Sequence, residues 1–446
     1  MQGPPTSLTR RQALGALAGA AAIAGGCARR DTGRTLVRFW AVGREGEVAG
    51  QIIPDFEREY PHIQVEVQQL PGTAAHEKLL TAYAGETLPD LCQLGNTWVP
   101  ELAALSALEP LEPYVSASRE IRVEDYFETF FDSNRVEGRL YGVPWYVDTR
   151  LLFYRRDILH KAGFDAPPSS WHEWTEMLAA IKQLVGPERY SVFLPLNEFE
   201  PLLVLALQQP EPLLRDQGRW GNFRSAGFRR ALAFYDSMFE RGWAPRMANT
   251  QISNVWDEFG RGYFSFYITG PWNIGEFRKR LPPALQDTWM TAPMPGPDGP
   301  GVSIAGGSSL VVFRSSNVKP QAWQLAEYLS RPATQERFYE LTGDMPPRRA
   351  TWHSAGLAQS PYARAFREQL ERVRSPPKVP EWERIATEMR LAVERIVQGV
   401  VPLEEALVAL DRKTDEILEK RRWMLDRAAQ LSMRERPAYE AREPLA

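Results

Sequence analysis

The fold class is decided by residues 34–70, which read RTLVRFWAVGREGEVAGQIIPDFEREYPHIQVEVQQL. They begin with an apolar strand pattern, continue with a helical pattern whose Ile52, Ile53 and Phe56 share one face, and end in the strictly alternating IQVEVQQL. A second helical pattern, AAHEKLLTAYAGE, and a short apolar strand, PDLCQLG, follow. This alternation of strands and helices predicts an α/β domain with a largely parallel sheet.

The loops that follow these strands are the first place to look for a ligand. In parallel sheets, ligands gather at the carboxyl ends of the strands. The loops there read GREGE (Gly43–Glu47), PGTAAH (Pro71–His76) and GNTW (Gly95–Trp98). They bring acids, amides and hydroxyls together, as a site for a polar ligand requires.

The rest of the chain is too long to share one core with this domain. At 446 residues, two domains are the expected organisation. A helix-rich region covers about 154–260, strand character returns at YFSFYITGPWN (263–273), and IAGGSSLVVF (304–313) is a glycine-rich turn that enters a buried strand. The last third is helical.

The N-terminus has the pattern of an export signal. RRQALGALAGAAAIAGGC, residues 10–27, places two arginines before an apolar run that is shorter than the roughly 20 residues of a membrane span. It resembles a twin-arginine signal with a lipoprotein cleavage box, which implies a signal peptide over 1–27 and a lipid on Cys27. A tail with a chance cysteine is the alternative. Lipidation would leave Cys92 alone, so we expect no intrachain disulfide.

Seven stretches, in order, carry a family resemblance over nearly the whole chain, from about Leu36 to Lys420. They are FEREYPHIQVEVQQL, LPDLCQLGNTWVPELAALSALEPLEPY, GRLYGVPWYVDTRLLFYRRDIL, PPSSWHEWTEMLAAI, FYITGPWNIGEF, IAGGSSLVVFRSSNVKPQAWQLAEYLSRPATQERF and GDMPPRRATW. The chain resembles the extracellular solute-binding proteins of bacterial sugar ABC importers, in particular the maltose/trehalose-binding branch.

The resemblance implies an α/β fold of two lobes, the type II periplasmic-binding-protein fold. Each lobe would be a mostly parallel sheet flanked by helices, and sugar would bind in the cleft between them. Three crossovers would lie near Tyr146–Asp148, Phe266–Gly270 and Phe313–Asn317. The expected N-terminal lobe is 34–146 with 270–313, the C-terminal lobe is 148–267 with 317–420, and 421–446 is an extension.

The first crossover contains the acid whose role matters most. In VPWYVDTRLLFYRRD (143–157), Asp148 and Tyr146 match positions where relatives place a sugar-binding acid and a stacking or hydrogen-bonding tyrosine. A neutral sugar needs planar acceptors, donors and aromatic faces. A structural acid that caps the next segment is the alternative for Asp148.

The remaining predicted sugar-binding residues lie in the loops and in the later stretches. Glu47 is the second acid, with Glu45 as its rival, and Asn96 stands where relatives often carry an aspartate. Trp272 is the predicted stacking platform, and Ser308 stands where some relatives have tryptophan. The other members of the predicted site are Thr73, His76, Thr97, Gly270, Gly307 and Arg348.

The motifs and the charge exclude other classes of function. A net charge of −3 argues against a nucleic-acid partner. HExxH, paired CxxC, GxSxG and GxxxxGK are all absent, and the five histidines have no metal spacing, so no catalytic residue, metal or cofactor is predicted. A Glu47–Asp148 glycosidase pair is the enzyme alternative. The resemblance implies a monomeric, lipid-anchored, periplasmic or cell-surface protein that binds an α-glucoside for an ABC permease. A β-glucoside or glycerol phosphate is the alternative ligand.

Overall fold

The computed structural model describes residues 33–435, so the predicted signal peptide and Cys27 lie outside the described part. No helix of the described part is both long enough and apolar enough to cross a membrane.

The described part contains two main sheets. Their strands are β1 (Thr35–Val42), β2 (Ile63–Leu70), β3 (Leu91–Gly95), β4 (Val143–Asp148), β5 (Leu151–Arg155), β6 (Tyr190–Phe193), β7 (Phe264–Thr269), β8 (Trp289–Ala292) and β9 (Gly306–Val312).

The first sheet has the strand order β2-β1-β3-β9-β4. β1 is parallel to β2 and β3, as the opening pattern predicts, whereas β9 runs antiparallel to both β3 and β4. The second sheet has the order β8-β5-β7-β6, and only β7 and β6 are parallel within it. The expectation of a mostly parallel sheet in each lobe is therefore wrong in detail. In each sheet the antiparallel pairs are made by one strand that directly follows a crossing, β9 in the first sheet and β5 in the second.

Helices flank both sheets, and serine side chains cap the N-termini of two of the long ones. The Ser170 and Ser225 side chains accept hydrogen bonds from backbone N–H groups in the first turns of the helices that follow them. The helices are Gly43–Ala49, Ile53–Glu59, Ala75–Ala84, Val99–Ala104, Glu112–Ala117, Glu128–Asp132, Arg156–Lys161, Trp171–Val185, Glu200–Leu207, Ala226–Glu240, Val255–Gly260, Trp272–Arg280, Lys319–Leu329, Pro332–Thr342, Ala355–Ala358, Pro361–Leu370, Trp382–Val397, Leu403–Ile417 and Glu419–Glu435. Short 3₁₀ helices and two-residue strands complete the fold at Gly72–Ala74, Asn96–Trp98, Val123–Asp125, Arg135–Val136, Arg139–Leu140, Leu214–Arg215, Trp220–Gly221, Asn249–Gln251, Pro283–Leu285, Ser303–Ile304, Arg349–His353 and Val373–Arg374.

Each sheet has its own hydrophobic core, and these cores correct the predicted lobe bounds. Trp289 and Phe277 pack in the core of the second sheet, although 270–313 was assigned to the first lobe. Trp323 and Phe338 pack in the core of the first sheet, although 317–420 was assigned to the second lobe. The assignment was wrong because β8 pairs with β5, a contact between distant segments that sequence pattern does not reveal.

The chain crosses between the lobes at three places, and one of them is where the sequence predicted it. The first crossing joins β4 to β5 at Asp148–Leu151. The second lies between β8 and β9, and the third follows Thr342, since Phe338 belongs to the first core and Met345 to the second. The predicted crossings at Phe266–Gly270 and Phe313–Asn317 are wrong.

Candidate functional site

Three carboxylates from distant parts of the chain meet beside the first crossing, and we call Glu45, Asp148 and Asp344 the carboxylate cluster. Burial raises the pKa of Glu45, hydrogen bonds with Tyr146 and Asp344 oppose that rise, and the charge of Asp148 adds to it. The pKa of Asp344 lies well above its usual range because the side chain is buried and faces the charges of Glu45 and Asp148. Burial and the nearness of like charges therefore both favour the neutral form of these carboxyls.

Asp148 is held by an arginine that the sequence-based site did not include. Arg150 Nη1 donates to Asp148 Oδ2 at 2.5 Å, and Arg150 Nη2 donates to Glu200 Oε1 at 3.0 Å. The guanidinium lies over the Trp272 ring, 4.7 Å from its centroid. Burial raises the pKa of Asp148, and Arg150 opposes that rise. The other oxygen, Asp148 Oδ1, is buried without a hydrogen-bond partner in the described part, so it is a ready acceptor.

A polar layer of the first sheet lies next to the cluster. Tyr146 Oη accepts hydrogen bonds from Ser308 Oγ at 3.0 Å and from Gln93 Nε2 at 3.2 Å. Asn96 Oδ1 accepts from Ser309 Oγ at 2.9 Å, and its amide donates to a backbone carbonyl at the start of β9. Asn96 and Ser308 are therefore engaged with the protein itself, and they position the neighbouring strands.

His76 and Thr97 lie at a second place where the lobes meet. His76 Nε2 is 2.6 Å from Glu101 Oε2, and its ring lies 5.1 Å from the Trp98 ring. The hydrogen bond with Glu101 raises the pKa of His76, and burial opposes the rise. Thr97 is hydrogen-bonded to Glu383, an acid of the second lobe whose pKa is raised by burial. These contacts join the two lobes through side chains that a ligand could also use.

Two predicted glycines allow the backbone to come close to aromatic residues of the site. Gly307 has φ +112°, and a Cβ there would lie 2.4 Å from the carbonyl oxygen of Tyr146. A Cβ on Gly270 would lie 1.9 Å from the Trp272 ring. Any side chain at Gly270 would displace Trp272 from its place above Arg150.

Of the two rival acids in the first loop, the structure places Glu45 in the cluster. Glu47 is exposed and pairs with Arg44 on the outer surface, with 2.9 Å between Arg44 Nη1 and Glu47 Oε2. The two acids are two residues apart on one helix, so they point to opposite sides. The side chain of Thr73 lies outside the described part.

Arg348 does not lie among the cluster residues. Its Nη2 donates to Asp125 Oδ2 at 2.6 Å, and its Nη1 donates to the backbone oxygens of Glu120 and Ser330 at 3.0 Å. The residue is buried, with 7% of its surface exposed. Arg348 therefore holds two segments of the first lobe together, and the sugar clamp at this position stays a prediction that these bonds do not support.

The structure adds residues that the sequence-based site missed. Arg150 had a readable signal, because in extended chain residues two apart point to the same side, and Arg150 follows Asp148 by two. Gln93 had a weaker signal, as a polar residue inside a buried strand. Asp344, Glu200 and Glu383 had none, since only the tertiary fold brings them to the site.

The comparisons with known proteins identify the class of this chain. Residues 51–362 match the family model of the bacterial extracellular solute-binding proteins, and the chain belongs to that family. It is a sugar-binding component of an ABC importer rather than an enzyme.

Individual relatives support the class. The sugar-binding protein MalE of Xanthomonas citri has a solved structure that matches with a TM-score of 0.85 and 56% identity, over 88% of this chain and 99% of that one. The diacetylchitobiose binding protein DasA of Streptomyces coelicolor is 23% identical over 79% of this chain and 82% of its own length. The galactooligosaccharide-binding protein of Bacillus subtilis is 22% identical over the same shares.

The buried charge of Asp344 should make stability depend on pH. Its raised pKa means that the folded protein holds this proton more firmly than the unfolded chain does. Stability should therefore fall as pH rises from the ordinary carboxyl range, about 4, through the raised pKa. Asp344→Asn removes the charge, so its melting temperature at pH 7 should exceed that of the parent protein, and its pH slope should be flatter.

The control for this prediction is an exposed aspartate. Asp298 lies on a surface turn, and Asp298→Asn should leave the melting curve at each pH unchanged. If Asp344→Asn melts at or below the parent temperature at pH 7 with the same pH slope, the buried charge does not destabilise the fold.

Proposed function

We propose that this chain binds a neutral α-glucoside, such as maltose, trehalose or a short maltodextrin, in the cleft between the lobes. The observation that carries the proposal is Asp148 Oδ1 of the carboxylate cluster, which is buried and has no hydrogen-bond partner among the described residues, together with the Trp272 ring next to Arg150. A carboxylate accepts hydroxyl protons, a protonated carboxyl also donates, and an indole face covers the apolar side of a sugar ring.

The charge of the cluster favours a neutral ligand. Glu45, Asp148 and Asp344 face each other, and Arg150 is already shared between Asp148 and Glu200. A phosphate group would meet carboxylates and no unengaged cation in this cluster, which disfavours glycerol phosphate. The similarity to the sugar-binding MalE of X. citri supports a sugar. Since the names of other relatives include quite different oligosaccharides, a β-glucoside stays the alternative.

We assign roles within the cleft from these contacts. Asp148 and Glu45 accept sugar hydroxyls, Tyr146 donates or accepts beside them, and Trp272 stacks on a ring. Arg150 holds Asp148 in place and presents the edge of its guanidinium group to the sugar. His76 and Thr97, at the second place where the lobes meet, would contact a second sugar ring together with Glu383 of the opposite lobe.

Binding would act through lobe closure. Contacts already join the lobes, including Thr97 with Glu383 and Asp132 Oδ2 with Lys378 Nζ at 2.8 Å. A sugar that touches both lobes favours the closed arrangement by its differential affinity for that state. The closed protein would then deliver the sugar to the permease subunits of its importer.

We further propose that the protein is an exported monomer, held at the membrane surface by a lipid on Cys27 after transport by the twin-arginine route.

Calorimetry with disaccharides tests the ligand. Maltose or trehalose should bind at one site per chain, at least about tenfold more tightly than cellobiose, a difference of about 1.4 kcal/mol. Equal or tighter binding of cellobiose would favour the β-glucoside alternative, and binding of glycerol 3-phosphate instead of any disaccharide would contradict the proposal.

A matched pair of variants locates the acid in the first loop. Glu45→Gln should weaken disaccharide binding, because Glu45 lies in the cluster. Glu47→Gln is the control, since its side chain is on the surface, and its affinity should stay at the parent value. The reverse result would place the sugar on the other side of this helix.

A further inference from the structure

The second lobe contains a cavity that the sugar cleft does not explain. Its volume is about 400 Å³, within the range of small-molecule sites of about 300–1,000 Å³. None of its lining residues belongs to the carboxylate cluster. The polar residues that line it include Gln209, Glu211, Arg374, Ser375, Lys378 and Arg421.

The charged groups of this cavity are mostly positive. Arg374 Nη1 donates to the backbone oxygens of Leu207 at 2.8 Å and Gln209 at 2.9 Å, which fixes its guanidinium at the cavity. Within residues 33–435, no carboxylate forms an ion pair with Arg374 or Arg421. Lys378 is paired with Asp132. Glu211 is the one acid among the lining residues, so the cations outnumber it.

Three polar atoms of the lining residues are buried and have no hydrogen-bond partner in the described part. They are Ser375 Oγ, Arg421 Nε and Glu211 Oε2. Leaving a buried donor or acceptor unpaired costs about 1–3 kcal/mol, so such groups are rare in native proteins. Ser375 Oγ and Arg421 Nε are donors on residues that line the cavity, so these two residues favour a ligand that presents acceptor atoms.

We propose that this cavity binds a small hydroxylated organic anion, either a sugar acid or a sugar phosphate. The anionic group would accept from Arg421, Arg374 and Ser375, and a hydroxyl of the ligand would donate to Glu211. The walls include Leu213 and Val379, which are buried apolar residues that would cover the carbon skeleton. The proposal stands on this cavity alone and does not depend on which sugar enters the cleft.

Thermal shift and calorimetry on the full chain test the proposal with four probes. Gluconate carries a carboxylate, glucose 6-phosphate carries a phosphate, and glucose and inorganic phosphate each lack one half of the proposed ligand. We expect one of the two hydroxylated anions to raise the melting temperature and to bind at one site per chain. The anion that does so identifies the head group, and glucose and inorganic phosphate should bind at least tenfold more weakly.

Variants separate this site from the cleft and from general surface charge. Arg421→Gln and Ser375→Ala should each weaken the anion about tenfold or more, while disaccharide binding in the cleft shows that the variants are folded. Arg364→Gln, which changes an exposed arginine on another helix, should bind the anion like the parent, and so should Asp148→Ala.

Three results would overturn the proposal. The first is that neither gluconate nor glucose 6-phosphate binds the parent protein. The second is that inorganic phosphate binds as tightly as both, which would indicate an adventitious ion only. The third is that Arg421→Gln and Ser375→Ala bind the anion as the parent does, which would place it elsewhere.

Discussion

Replacing Arg348 by Ala should lower the free energy of unfolding by about 3–5 kcal/mol, the range for breaking a buried ion pair by removing one partner. The change would leave the carboxylate of Asp125 without its cation and the backbone oxygens of Glu120 and Ser330 without their donor. Only 7% of the Arg348 surface is exposed, so water does not replace these bonds easily. Urea unfolding measures the effect.

Arg349 is the matched control for this change. It is the next residue, but it pairs with Glu371 at the surface, where 47% of its side chain is exposed. Arg349→Ala should therefore cost no more than about 1 kcal/mol. Arg348→Lys should be intermediate, because a single ammonium cannot reach all three acceptors. If Arg348→Ala keeps full stability and loses sugar affinity, Arg348 contacts sugar and the structural role is wrong.

Replacing Asp148 by Ala should weaken disaccharide binding by about 1.5–3 kcal/mol, the value of a hydrogen bond to a charged group. That is a loss of roughly ten- to 150-fold in affinity. Within residues 33–435, Asp148 Oδ1 has no hydrogen-bond partner and is available to a hydroxyl, and Oδ2 holds Arg150 at 2.5 Å. Removal of the carboxylate should also take away one of the two ion pairs that hold Arg150 over Trp272.

The fold should survive this substitution, because Arg150 keeps its second ion pair, with Glu200 at 3.0 Å. Asp165→Ala is the control, since that side chain is fully exposed, and its affinity should match the parent. Unchanged affinity in Asp148→Ala, measured by calorimetry, would leave Asp148 with only a structural role.

Local patterns predicted the elements of the fold better than their assembly. The alternation in β2 and the apolar β3 are visible along the chain, and β1, β2 and β3 form the predicted parallel part of the first sheet. The position of Trp289–Ala292 was not visible, because its partner β5 lies more than a hundred residues away. Strand character indicates that a segment joins a sheet, and it does not indicate which sheet.

The candidate site shows the same division. Tyr146, Asp148 and Trp272 were predicted from the stretches in which they occur, and the structure brings them to one place. The sequence did not separate Glu47 from Glu45, because a loop pattern identifies the segment that approaches the ligand. It does not show which side of the helix faces the ligand. The bonds of Arg348 were not visible in the sequence, because its acceptors come from two segments that are far from each other in the chain, residues 120–125 and Ser330. Asp344 became visible only when the third crossing placed it beside Glu45.

Small-angle X-ray scattering tests most directly whether a sugar draws the two lobes together. The radius of gyration is measured without ligand and with a saturating amount of the disaccharide that binds most tightly, with Asp148→Ala at the same concentrations as the control. The parent protein should become more compact when the sugar is added, while Asp148→Ala should need a higher sugar concentration for the same change. An unchanged radius of gyration at proven saturation would contradict closure around a ligand in the cleft.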